Sequence, residues 1–291
     1  MDPGEKTQLR DFVVSISAAA LIALLIIGGL YVYAGNWPPM VVVESGSMQH
    51  SSTYAYLGDL NIGDMVVVKR VSSVSQIVTY VQGAESHFST YGEFGNVIIY
   101  KPYGSSNVVP IIHRAIVYIQ YNKTGGGYNI PSLAGLNDSE WFVMTPSGPE
   151  HYVNNIMYNV ELTNVGYTHT PVIIPVKQMI RSARFSGFIT MGDHNHAAYG
   201  ENATDQALGI FPLPVKIQWV EGIAVGLLPY VGLIKLYFDG GIPAETPQNS
   251  VVALVVIIVA VAATIFSAEY ILETLRRRKE GEGDQENRES D

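Results

Sequence analysis

The turn that follows the first apolar segment carries two hydroxyl groups, on Ser45 and Ser47. A serine becomes a nucleophile when a neighbouring base takes its proton, and a third group usually orients that base. The corresponding chemistry is acyl transfer, in which the serine attacks a carbonyl carbon and forms a covalent intermediate. A structural interpretation is also open here, in which the turn is only a polar loop at the first strand.

Few residues qualify as the base or as the orienting acid. His113 is a candidate base, although its apolar neighbours also suit a half-buried structural histidine in a strand. Asp193 follows a predicted strand, where it either orients the site or simply caps a turn. Asp205 is the next candidate acid along the chain.

A metal site is the other chemistry that this region suggests. His194 and His196 form a His-x-His pair beside an acid, and alternate residues of a strand share a face. No third ligand follows at a convincing spacing, and serine chemistry needs no metal. We therefore expect neither a metal nor a cofactor.

Composition excludes further classes of chemistry. The 291 residues include no cysteine, which rules out disulfides, thiolate-zinc sites and cysteine nucleophiles. The net charge of -9 argues against nucleic acid as a partner, because phosphate binding normally needs a basic face.

Two apolar segments, uncharged over 12–34 and 251–268, predict membrane-spanning helices at 12–34 and 251–272, each long enough to cross a core of about 30 Å. Basic residues precede the first segment (Lys6 and Arg10) and follow the second (276–279). The positive-inside rule then predicts that both termini, 1–11 and the polar tail 273–291, are cytoplasmic.

Residues 35–250 are therefore predicted to form a single domain outside the cell membrane. Short β-branched runs punctuated by glycine predict antiparallel strands, and no long amphipathic helix is evident, so the fold class is mostly β. The predicted strands are 40–43, 65–69, 96–100, 111–119, 188–191 and 215–225. Residues 71–94 are interpreted as a loop excursion, and 121–185 as an inserted subdomain or elaborated hairpin.

Several short blocks in this domain resemble those of type I signal peptidases, in the same order and behind a membrane span. The blocks are 45–48 (SGSM), 63–69 (GDMVVVK), 95–100 (GNVIIY), 113–114 (HR), 192–195 (GDHN), 221–224 (EGIA) and 228–232 (LPYVG). Each block is weak evidence by itself, and the resemblance is carried by their ordered succession.

The resemblance implies a role for each matching residue. Ser47 corresponds to the nucleophile and His113 to the general base, and a histidine at this position is similar to the archaeal and endoplasmic-reticulum branch rather than to the bacterial one, which uses lysine. The resemblance also implies that Ser45 assists the oxyanion hole beside the backbone N–H of Ser47.

The acids are where this chain departs from the family pattern, which has a second aspartate about six residues after the first. Here that position is Tyr199, and the next acids are Glu201 and Asp205. We interpret Asp205 as the displaced second aspartate, with Glu201 as the alternative. This implies a loop about six residues longer than in the family.

The implied function is a serine endopeptidase of the cell membrane that removes signal peptides from exported precursor proteins. Its partners would be those precursors and the lipid bilayer, and accessory subunits are left open. The alternative from another class is a membrane-tethered β domain that binds peptides or surface partners without catalysis. Such a domain would need no Ser47–His113 pair.

Overall fold

The computed structural model describes residues 3–289 and has a long helix at each end. Helix α1 spans Pro3–Ala34, and helix α7 spans Gln248–Glu289. Their segments Phe12–Ala34 and Gln248–Ile271 are long and apolar enough to cross a membrane, and an 18-residue stretch of each contains no buried residue, whereas Ala34 and Ser250 are buried against the rest of the protein. The prediction of two such segments is confirmed in length and composition.

The outermost residues of the two predicted cytoplasmic segments, 1–2 and 290–291, lie outside the described residues. Between the long helices lie thirteen strands and five short helices. The strands are β1 (Met40–Val42), β2 (Met65–Lys69), β3 (Ser89–Thr90), β4 (Glu93–Phe94), β5 (Val97–Tyr100), β6 (Ile111–Tyr121), β7 (Tyr128–Asn129), β8 (Trp141–Thr145), β9 (Gly148–Glu150), β10 (Val160–Val165), β11 (Thr170–Ile174), β12 (Gly187–Met191) and β13 (Val220–Leu228). The short helices are α2 (Tyr80–Ser86), α3 (Val176–Ser182), α4 (Asp193–Tyr199), α5 (Asp205–Leu208) and α6 (Gly232–Asp239).

The main sheet runs in the order β1-β2-β13-β5-β6-β12, with β7 also paired to β6, and all its neighbours are antiparallel. The β-branched runs of β2, β5 and β6 are buried almost throughout. This accounts for their lack of a clear polar and apolar alternation, since such strands are covered on both faces.

The predicted insertion at 121–185 forms a four-stranded antiparallel sheet in the order β11-β10-β8-β9, followed by α3. Its inward side chains share one hydrophobic core with β6 and β12 of the main sheet. This core includes Ile116, Ile119, Trp141, Val160, Val172 and Ile189. The inserted sheet is therefore built into the domain through common apolar packing.

The interpretation of 71–94 as a loop is wrong in two places. Helix α2 begins there with a capping box, in which Thr79 and Gln82 each accept a hydrogen bond from the other's backbone N–H. The small hairpin β3–β4 follows it. Buried Tyr80 and Val81 hold α2 against the core, and so short an apolar face leaves a weak sequence pattern.

The fold class is only partly as predicted. Both larger sheets are antiparallel, but the two long helices alone contain 32 and 42 residues, and short helices interrupt the strand order. The domain between the two long helices is a mixed structure in which the antiparallel sheets form the framework.

Strand β1 forms one edge of the main sheet and follows closely after α1. The backbone N–H of Val43 and the carbonyl of Pro39 bond to β2 and its flanking residues. By the alternation of an antiparallel ladder, the peptide groups of Met40 and Val42 point to the free edge.

Candidate active site

Ser47 lies in a single turn of 3₁₀ helix, Gly46–Met48, directly after β1. Its Oγ is 2.9 Å from Nε2 of His113, which is buried in the long strand β6. This distance is within the range of an O–H···N hydrogen bond. The structure therefore brings together the serine and the histidine that the sequence singled out.

Asp205 contacts the other nitrogen of the same imidazole. His113 Nδ1 is 2.7 Å and 2.8 Å from the two carboxylate oxygens, and the carboxylate is completely buried. Since Nδ1–H donates to Asp205, Nε2 carries the lone pair that accepts the Ser47 hydroxyl proton. The arrangement is that of a nucleophile, a base and an orienting acid.

Two further hydroxyls fix the carboxylate of Asp205. Tyr100 on β5 and Thr190 on β12 both donate to its Oδ2, over 2.9 Å and 2.6 Å. A buried carboxylate is costly unless its lone pairs are hydrogen-bonded, and these donors meet that need. Neither residue was singled out in the sequence, because each comes from a different strand and is distant from Asp205 along the chain.

The backbone around Asp205 is held by short-range capping and by β12. Thr204 caps α5 by accepting from the N–H of Ala207, and the buried Gln206 side chain accepts from the N–H of Thr190. The segment that leads to Asp205 contains α4 and a 3₁₀ turn, Gly200–Asn202, and its greater length relative to the family stays a prediction. Glu201 lies in that turn and is exposed, so the alternative acid lies outside the Ser47–His113–Asp205 cluster.

The hydrogen-bond partners of the Asp193 side chain are His50 and Arg114, not His113 or Ser47. Asp193 begins α4 and forms a bidentate pair with Arg114, whose Nε and Nη2 lie 2.8 Å and 2.6 Å from its two oxygens. Successive residues of a strand point to opposite faces, so Arg114 lies on the other side of β6 from His113. Burial by itself would raise the pKa of Asp193, but the Arg114 guanidinium outweighs it and lowers that pKa to about 2.

The hydroxyl of Ser45 is exposed and lies 3.3 Å from that of Ser47. This places it beside the nucleophile, at the position where the resemblance predicts an oxyanion donor. The role itself stays a prediction.

The histidine pair does not have the geometry expected for a strand. His194 and His196 lie in helix α4, where residues two apart point in different directions. His196 is buried against Thr168 and Thr170 of the inserted sheet. In the described part of the chain, no group of three or more His, Asp or Glu residues is arranged to hold a metal ion.

Gly192 is needed for the close approach of α4 to the site. A Cβ added there would lie 2.5 Å from the carbonyl oxygen of Ser47, 2.9 Å from Nε2 of His113 and 3.0 Å from Nδ2 of Asn195. No side chain fits in that space, so only glycine allows the helix to begin against Ser47. The Gly-Asp pair marked a turn in the sequence, but this contact was not foreseen.

Ser47 and His113 line a cavity of about 830 Å³. Its walls are mainly apolar and come from both sides of the site: Met40, Val41, Val42, Val43, Val109, Pro110, Ile111 and Ile112. The side chain of Asn195 also lines the cavity, and it forms no hydrogen bond with any residue in the described range 3–289. Ile99 of β5 also lines the cavity, and the wall at 109–112 was not predicted from the sequence.

Comparison with known proteins does not identify a function for this chain. No protein-family model matches the chain, and no curated protein matches it. The similarity to type I signal peptidases therefore stays a prediction from the ordered sequence blocks.

Proposed function

We propose that the protein is a membrane-bound serine endopeptidase that removes N-terminal signal peptides from exported precursor proteins. The observation that carries the proposal is the hydrogen-bonded series Ser47, His113 and Asp205 on the wall of an apolar cavity. Acyl transfer is the reaction that such a series supports, and it needs neither a metal nor a cofactor.

In this mechanism Ser47 Oγ attacks the carbonyl carbon of the scissile peptide bond while His113 Nε2 takes its proton. The negative charge of Asp205 stabilises the imidazolium that forms and keeps the ring in its orientation. His113 then gives the proton to the leaving amine, and water, activated by the same histidine, hydrolyses the acyl-enzyme. The N–H of Ser47 and the hydroxyl of Ser45 are the proposed oxyanion donors.

The substrate segment would bind in extended form along β1. The unpaired peptide groups of Met40 and Val42 offer backbone hydrogen bonds at a sheet edge, which is a common way to bind an extended peptide. The cavity wall beside this edge is formed by valine, isoleucine and methionine side chains, which favour apolar side chains of the substrate near the cleaved bond.

The proposed location is the cell membrane, with both termini cytoplasmic and the catalytic domain on the outer face. Support comes from the two apolar helical segments and from the short distance along the chain between α1 and β1. Helix α6, just before α7, adds an exposed apolar surface through Ile234, Tyr237 and Phe238. Such a surface suits contact with the interfacial region of a bilayer.

The proposal is tested by Ser47→Ala in the full-length protein, assayed on a signal-bearing precursor in detergent micelles. We expect cleavage to fall by at least about 10³-fold, because the nucleophile is lost, while thermal unfolding stays close to wild type. Ser52→Ala is the matched control, since this neighbouring serine is exposed and outside the site.

Cleavage by Ser47→Ala at the wild-type rate would refute the proposed mechanism. If wild type and variant alike bind the precursor but leave it intact, the domain is a peptide-binding module without catalysis.

A further inference from the structure

His50 occupies a buried polar cluster directly behind the nucleophile turn. Its Nδ1 lies 3.2 Å from Asp59 and its Nε2 lies 3.3 Å from Asp193, and the His50 side chain is only 12% exposed. Both ring nitrogens thus face carboxylate oxygens. An imidazole can donate from both nitrogens only when it is protonated, so this geometry favours a charged His50.

The surroundings of His50 fit its ring closely on the remaining sides. Tyr167, in the turn between β10 and β11 of the inserted sheet, stacks on the ring with centroids 4.5 Å apart. Gly92, in the β3–β4 turn, has φ +82°, and a Cβ there would lie 2.7 Å from the imidazole. His50 therefore joins the nucleophile turn to two neighbouring elements as well as to α4.

We propose that His50 is a positioning residue that holds the Ser47 turn against helix α4 through its paired contacts with Asp59 and Asp193. This rests on the proposed function, since Ser47 is taken to be the nucleophile. Three consecutive residues anchor the turn: Met48 in the core, Gln49 through the N–H of Ile62, and His50 through the two carboxylates. His50 binds the first residue of α4, next to Gly192, which packs against Ser47 and His113.

The charges around His50 explain why it stays protonated. The titratable and charged groups that surround the ring are Asp59, Asp193, Arg114, Glu93 and Tyr167. Burial opposes the charge, but hydrogen bonds and attraction from Asp193 and Asp59 outweigh it and raise the pKa of His50 to about 9. A histidine with a raised pKa contributes its stabilisation fully below about pH 6.5, and this is lost as the pH rises through about 9.

The test compares His50→Gln, Asp59→Asn and wild type as full-length proteins in micelles, with kcat and KM for a signal-bearing precursor measured from pH 6 to 10. His50→Gln should lower kcat by about 10-fold to 10²-fold with KM little changed, because a small displacement of a nucleophile is enough for such a loss. His87→Gln is the matched control at an exposed histidine.

The pH profile separates positioning from a merely structural role. In wild type, kcat should decline as the pH passes about 9, when His50 loses its proton. In Asp59→Asn, the same decline should move to lower pH, because one of the two carboxylates that favour the charged ring is gone. In His50→Gln this decline should be absent.

The proposal would be overturned if His50→Gln kept the wild-type kcat. It would also be overturned if the alkaline decline of kcat occurred at the same pH in Asp59→Asn as in wild type. If His50→Gln does not fold, the profile of Asp59→Asn still decides. Labelling of Ser47 by a serine-reactive phosphonate probe distinguishes the two proposals. If no precursor is cleaved but the labelling rate still falls about tenfold in His50→Gln, the proposed function fails and the positioning role stands.

Discussion

Asp205 is the residue on which the geometry of the base depends. Its carboxylate is buried and binds His113 with both oxygens, while the hydroxyls of Tyr100 and Thr190 hold it from two other strands. A group fixed by several strands cannot rotate away when the imidazole gains its proton. The orientation of His113 is therefore built into the framework before a substrate binds.

The residue-scale prediction concerns the acid. Asp205→Asn should lower kcat by about 10²-fold to 10⁴-fold, because an amide facing Nδ1 favours the tautomer that directs the Nε2 proton at Ser47. Glu201→Gln should keep wild-type activity, since Glu201 is exposed and lies outside the cluster. The measurement is the cleavage rate of a precursor by each purified variant.

The reverse result, with activity lost in Glu201→Gln and kept in Asp205→Asn, would show that Asp205 is not the orienting acid. The pairing of Ser47 with His113 would survive that result.

At the scale of elements, strand β6 serves two sites with adjacent residues. His113 faces Ser47, and Arg114 faces Asp193. Arg114 also donates to four backbone carbonyls in and beside the neighbouring hairpin, those of Thr90, Glu93, Phe94 and Gly95. Arg114 therefore links β6, the hairpin β3–β4 and helix α4, and it fixes the side of α4 that packs on Ser47.

The element-scale prediction follows from the Arg114–Asp193 pair. Asp193→Asn should destabilise the protein by about 3–5 kcal/mol near neutral pH, because it leaves the Arg114 guanidinium buried without its partner. A carboxylate with a depressed pKa stabilises the fold above its unfolded pKa of about 3.9. In wild type this contribution is lost as the pH falls through about 2.

The measurement is thermal unfolding of the full-length protein in micelles between pH 7 and pH 2. The difference between wild type and Asp193→Asn should shrink as the pH falls from about 4 to about 2. Asp138→Asn, at an exposed aspartate, is the control. A difference that does not change with pH would show that the ion pair is not its source.

The elements also show which parts of the fold can be predicted from sequence patterns. The strands at 40–43, 65–69 and 96–100 were predicted close to their observed positions, because a buried strand has a local β-branched signature. Helix α4 was missed because seven residues carry too little periodicity to separate a helix from a loop.

The candidate site was predictable only in part, for a related reason. Ser47, His113 and Asp205 were singled out by their residue types together with the resemblance to type I signal peptidases, and their roles stay predictions. Tyr100 and Thr190 were not singled out, since a hydroxyl in a strand shows no local sign of the carboxylate it meets in the folded chain. Such contacts depend on strand order, which was not predicted.

On the scale of the whole molecule, both long helices are hydrogen-bonded to the domain between them. The N–H of Arg70 bonds to the carbonyl of Ala34 at the end of α1, and the side chain of Asn249 in α7 forms two hydrogen bonds with the backbone of Ala55. If these helices span the bilayer, the cavity lies a short distance along the chain from its surface. A substrate held in the same membrane would then need only a few extended residues to reach Ser47.

The most direct test of the central claim is covalent labelling of Ser47 in intact cells with a membrane-impermeant serine-reactive phosphonate probe, read by mass spectrometry of the labelled peptide. The account predicts a label on Ser47 in intact cells, at a rate that falls strongly in Asp205→Asn and to zero in Ser47→Ala. A label that appears only after the cells are opened would contradict the outer-face orientation. The absence of any label on Ser47 in intact and opened cells alike, with the protein folded, would contradict its role as the nucleophile.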